Sequence, residues 1–138
     1  QPADRPFDYA NYERATRLAF VGGAAVDGSA PPQFHGAADR MNPETLMLGS
    51  LMQCHFLTFM AVAAKSGARV VSYTDRADGT LGMKDGKMRF VGVTLRPKVA
   101  LADPKDLARL EAFHHKAHAN CFMSNSVNFP VTVAPDLS

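Results

Sequence analysis

Apolar residues run as a near-continuous block in the middle of the chain and as a strict alternation after it, and this change of period divides the sequence. The block, residues 45–64, is dense in Leu, Met and Phe. It has the marks of one long helix: Asn42 as a capping acceptor, Pro43 at the first helical position, Glu44 against the positive helix end, and Gly67 as a stop. Cys54 lies about three turns inside it, at 3.6 residues per turn. Beyond Gly67 the period becomes two. Asp85-Gly86 is a hairpin signature, and Val91, Val93, Leu95, Val99 and Leu101 alternate with Gly92, Thr94, Arg96 and Lys98, as in a sheet with one dry face. Asp103-Pro104 opens a second helix running toward Cys121, with Leu107, Leu110 and Phe113 on its apolar face. Residues 129–133 form a closing strand, which Pro130 assigns to a sheet edge.

The N-terminal third is patterned more weakly. Pro2 and Pro6 make residues 1–13 irregular, Gly22-Gly23 between two short apolar runs predicts a hairpin, and residues 28–40 with Pro31 and Pro32 read as a loop. The order of strands, long helix, strands, helix and strand is an α+β layout. At 138 residues the expectation is a single domain, 1–138, with one hydrophobic core.

The central block is long enough to be mistaken for a membrane span. It contains Ser50, Gln53, His55 and Thr58, which are costly at mid-bilayer, and it lacks anchors on both flanks. A helix apolar all round in a soluble chain reads as the buried centre of the fold. Composition agrees: 46% apolar and 20% charged residues are ordinary for a globular protein. The net charge of +2, from 15 basic and 13 acidic residues, is not gathered into a stripe, so no nucleic-acid partner is expected. No charged-then-apolar leader opens the chain, and two cysteines do not make a disulfide scaffold. A cytoplasmic protein without membrane partner is expected.

Cys54 and Cys121 carry the candidate chemistry. A buried cysteine behaves as a small hydrophobe, whereas one with polar neighbours can hold a useful thiolate. Gln53 and His55 flank Cys54, and Cys121 follows the polar run from His114 to Asn120. The macrodipole of its own helix cannot activate Cys54, because that effect fades beyond the first turn, and a cation from elsewhere in the chain is expected. At the usual pKa of about 8.5, only about 3% of a thiol is ionised at pH 7. Lowering the pKa to about 6 raises that fraction roughly thirtyfold, while intrinsic nucleophilicity falls roughly tenfold. Positioning the substrate and stabilising its leaving oxygen must supply most of the rate, and an arginine suits both tasks.

These motifs resemble the OsmC/Ohr superfamily, and most closely its OsmC-like branch. The resemblance rests on Asn42-Pro43-Glu44 with Cys54 ten residues later, on the stretch Cys54-His55-Phe56-Leu57-Thr58-Phe59, on the pattern from His114 through Cys121 to Val127, and on Thr94-Leu95-Arg96-Pro97. It covers residues 12–133. It implies an OsmC-like fold, with a long buried central helix and antiparallel sheets, assembled as an intertwined homodimer. It further implies that Cys54 reduces a hydroperoxide, becomes a sulfenic acid and closes a disulfide with Cys121, a thiol or dithiol reductant then restoring both. In that family an arginine poises the reactive cysteine, and the glutamate of Asn-Pro-Glu holds the arginine. Glu44 fits the second role, and Arg14 in Tyr12-Glu13-Arg14 matches the family's Tyr-x-Arg pattern. Arg40 is nearer to Glu44 in sequence and matches no motif. Thr16 departs from the histidine common in the branch.

The candidate catalytic set is therefore Cys54, Cys121, Glu44 and Arg14, with no cofactor and no resident metal. Two rival readings remain open at this stage. The same sulfurs could serve a non-catalytic redox-sensing or ligand-binding module. His114, His118 and Cys121, at i, i+4 and i+7, could instead begin a metal site with His55 or Cys54, although the tight cysteine pairs of structural zinc sites are missing. Met47, Met52 and Met60 are most simply adaptable core filler.

Overall fold

A computed structural model describes residues 2–136, and the chain divides into two compact units, residues 1–47 and 48–138. In the first unit, strands β1 (Thr16–Ala19) and β2 (Ala25–Gly28) pair antiparallel around the Gly22-Gly23 turn. A single 3-10 turn, Pro32–Phe34, interrupts the loop that follows.

Helix α1 (Pro43–Lys65) links the units and begins as its sequence dictates. The Asn42 side-chain oxygen accepts the Thr45 backbone N–H at 2.8 Å, satisfying one of the free donors of the first turn. Gly67, at φ 74°, ends it in a left-handed conformation. By length and composition α1 could cross a membrane, with mean hydropathy 1.6 over its most apolar window. Within the chain it is not buried all round, as its composition predicts. Leu51, His55, Phe59, Val62 and Ala63 form a buried stripe, while Gly49, Gln53, Leu57, Ala61 and Ala64 on the far side are exposed. An all-apolar helix says nothing about which of its sides the same chain covers.

The second unit holds two small sheets. Strands β4 (Ala77–Lys84) and β5 (Lys87–Leu95) form the hairpin expected at Asp85-Gly86, both of which take positive φ, as a two-residue turn between twisted strands requires. Strand β7 (Val131–Val133) adds to β5 at the sheet edge, parallel where the other pairings are antiparallel. The alternating run that reads as one strand is two: Arg96-Pro97 breaks it, and β6 (Lys98–Leu101) turns away to pair with β3 (Val70–Thr74). The dry face survives the break, with Val93, Leu95 and Val99 all buried.

The second helical region differs in form from the sequence expectation. Pro104–Arg109 is a 3-10 segment, and helix α2 proper is Leu110–Ala119. Leu107 is exposed and not part of the buried face; Leu110, Phe113, His114 and Ala117 are. Cys121 lies past the end of α2 and starts a further helix, α3 (Phe122–Ser126). The main core brings Phe59, Val62 and Ala63 of α1 against Leu110, Phe113 and Ala117 of α2, with Val99 of β6. Burying each such large side chain contributes roughly 1.5–3 kcal/mol.

Candidate active site

Both sulfurs belong to the second unit. Cys54 is half-buried on α1 and Cys121 is fully buried, and both are free thiols. The Met123 backbone N–H donates to Cys54 Sγ, with N···S 3.5 Å, from the first turn of α3. Burial pushes the Cys54 thiol up, but that effect is outweighed by the Met123 N–H, the neighbouring Cys121 thiol and the Phe122 N–H, while the Thr58 hydroxyl donates to the Cys54 carbonyl at 2.8 Å. The net direction is down. Cys121 goes the other way. Burial raises it, and the neighbouring Cys54 raises it further against weaker help from Ser124. Of the two, Cys54 is biased toward thiolate and Cys121 toward thiol.

A cation was the expected source of activation. Within this unit the groups around Cys54 include backbone amides at the start of α3, whose unpaired N–H groups suit an anion. Residue types do not advertise backbone amides.

Arg14 and Glu44 lie in the first unit. Arg14 is buried, donates to the Tyr12 carbonyl at 2.9 Å and to the Tyr9 carbonyl, and lies over the Tyr12 ring at 3.8 Å. Its Nε and the Glu44 Oε2 are buried and have no hydrogen-bond partner, and no ion pair joins the two residues among those described. Arg40 is exposed.

The histidines do not line up with Cys121. His55 of α1 and His114 of α2 are buried with their rings nearly coplanar, at an interplanar angle of 9°, and edge to edge: His55 Nε2 meets His114 Nδ1 at 3.1 Å. Burial lowers both pKa values to about 4, and for His55 the neighbouring His114 and His118 add to the effect. The pair is therefore neutral and shares one proton. His115 is exposed. Among the described residues no group of three or more His, Cys, Asp or Glu is placed to hold a metal ion. Cys121 misses the i+7 position because α2 ends at Ala119.

Comparison with known proteins points one way. The family model described as OsmC-like protein matches residues 36–136. An OsmC-like protein of unknown function from Vibrio cholerae is 37% identical, with TM-score 0.86 over 91% of this chain and 86% of that one. The organic hydroperoxide resistance protein OhrB of Bacillus subtilis has the same fold, with TM-score 0.68 and 19% identity over 96% of this chain and 94% of its own. The uncharacterized Bacillus subtilis protein YmaD is 24% identical over 72% of this chain and 68% of its own length.

Proposed function

The chain belongs to the OsmC-like protein family, and on that premise we propose that it is a thiol-dependent hydroperoxidase. The observation that carries the reading is the asymmetry of the two sulfurs: Cys54 is held toward thiolate by amide donors, and its companion Cys121 is held toward thiol. The Cys54 thiolate attacks the terminal oxygen of a hydroperoxide, the O–O bond breaks, and the departing alkoxide takes a proton to become an alcohol. Cys54 is left as a sulfenic acid. Cys121 then attacks the sulfenic sulfur, a disulfide forms and water leaves. An external thiol or dithiol reductant returns both sulfurs to the starting state. By the family pattern Arg14 is assigned to poising Cys54 and donating to the departing oxygen, and Glu44 to holding Arg14. That reading is in keeping with the orphaned polar atom each keeps buried.

A homodimer is part of the same proposal. The exposed side of α1 carrying Gly49, Ala61 and Ala64 is mostly apolar, with Gln53 the polar exception, and its small residues allow a second helix to approach closely. Sedimentation should give twice the 14.9 kDa chain mass; a monomer at micromolar concentration removes this part of the reading. We place the protein in the cytoplasm, where reductants keep such thiols reduced.

Replacing Cys54 by Ser should abolish hydroperoxide consumption in the presence of a dithiol while leaving the circular dichroism spectrum intact. Intact mass after one equivalent of an organic hydroperoxide should fall by two hydrogen atoms, mapped to a 54–121 linkage. Undiminished turnover by the serine variant would end the assignment, and a single turnover that never repeats would point to a sensor instead.

A further inference from the structure

A cavity of about 260 Å³ lies between α2 and the end of the chain, lined by Glu111, His114, His115, His118, Val133 and Pro135. Neither cysteine borders it. His114 is 3% exposed, and its Nε2 is buried without a hydrogen-bond partner. The Nδ1 of His118 is buried and unpartnered as well. The two residues are one turn apart, at i and i+4, so both rings rise from the same side of α2. A helical pair of histidines at that spacing can grip one divalent ion. Glu111 adds a carboxylate to the wall, and among the described residues it forms no ion pair. No Lys or Arg among those residues lines the cavity. Solvent would satisfy either nitrogen alone, and an exposed acid on a helix is ordinary. Neither fact accounts for two unpartnered imidazole nitrogens and a carboxylate around one space that holds no fixed positive charge.

We propose that His114 Nε2 and His118 Nδ1 bind a divalent cation of the late first transition row, such as zinc, with Glu111 supplying opposite charge beside it. Imidazole nitrogen suits those ions, whereas magnesium and calcium prefer oxygen. Among the described residues no third group is placed to complete the shell. The remaining positions therefore go to water or to an incoming ligand, which makes the site an open one. His114 brings its own support. Its Nδ1 meets His55 Nε2 at 3.1 Å, and when His114 is the donor in that bond its Nε2 keeps a free lone pair. A metal-bound imidazole ordinarily donates from its other nitrogen in this way, which fixes both tautomer and ring angle. His55 is thus a positioning residue for the ion, and the site stands independently of the peroxidase reading.

Calorimetric titration of Zn²⁺ into the full chain, free of any polyhistidine tag, should show one ion bound per chain and no response to Mg²⁺. His118→Gln leaves the His55–His114 bond in place and should abolish binding. His55→Leu should weaken it roughly ten- to hundredfold, the usual cost of losing an outer-shell partner. The sulfurs are the competing zinc ligands, so a Cys54→Ser, Cys121→Ser double variant should bind as the parent does. Ring nitrogen-15 shifts give a readout that does not depend on affinity. Zn²⁺ should move His114 Nε2 and His118 Nδ1 while His114 Nδ1 stays protonated. An absence of binding, binding that survives His118→Gln, or binding lost with the two cysteines overturns the site. Zinc that leaves the His114 Nε2 resonance unmoved does the same, as does undiminished affinity in a folded His55→Leu variant.

Discussion

Neighbouring residues on α1 anchor two pairs, Cys54 with Cys121 and His55 with His114, and the fold favours the charged form of Cys54 and the neutral form of His55. Desolvation opposes charge in both. Around Cys54 it is overcome, because the first turn of α3 supplies amide hydrogens and Cys121 supplies a thiol hydrogen. Around the imidazoles nothing overcomes it. Their outer nitrogens, His55 Nδ1 and His114 Nε2, are buried without a partner, and each ring's nearest titratable neighbour is another ring that repels a second proton. Burial alone therefore does not decide whether a group is charged. The count of hydrogens aimed at it does.

The largest consequence falls on the imidazole side and can be broken with acid. Unfolded, each histidine takes up its proton near pH 6.5, whereas in the folded chain it does so near pH 4. The unfolded state thus binds more protons between those values. Stability conferred by the neutral pair is fully present above about pH 6.5 and drains away as pH falls toward 4, by a few kcal/mol in all. Urea unfolding across that window should show it, and a double His55→Leu, His114→Leu variant should flatten the profile. An unaltered profile would mean that the rings are not held neutral. A smaller effect is expected from His114→Leu alone, which strands the His55 ring without its hydrogen bond and should cost about 1–3 kcal/mol at pH 7. The midpoint of thermal unfolding reads that directly.

The smallest effect sharpens the sulfur side. Cys121→Ala removes one donor to Cys54 and leaves the amides, so the Cys54 thiol should titrate higher than in the parent and react with iodoacetamide a few-fold more slowly at neutral pH. The same variant should accumulate a sulfenic acid that dimedone traps. Faster alkylation would show that Cys121 does not donate to Cys54.

What could be read from the sequence was mostly local. Asn42 and Gly67 mark the ends of α1 because a cap and a stop act within a turn of themselves, and Asp85-Gly86 marks its hairpin for the same reason. The alternation from Val91 to Leu101 was legible as a dry face but not as two strands, since Arg96-Pro97 changes the strand's partner without changing its period. The cysteines were legible as a pair through their motifs. The partnership of His55 and His114, 59 residues apart, was not, because a hydrogen-bonded ring pair leaves no periodic trace. The amide donors at Phe122 and Met123 were invisible for a deeper reason: every residue but proline carries one, and only the turn of the backbone aims it.

Helix α3 has a bearing on how the protein would record its own oxidation. Five residues are far too few to keep a helix wound in water unaided, and this one starts at Cys121 and leans an amide on Cys54. A covalent tie between the two sulfurs would pull on the residue that caps it and turn the sulfur its Met123 amide now engages into a weaker, neutral acceptor. Amide hydrogens of residues 122–126 should accordingly exchange at different speeds before and after oxidation, giving a readout of the state of Cys54 and Cys121 spread along a stretch of backbone.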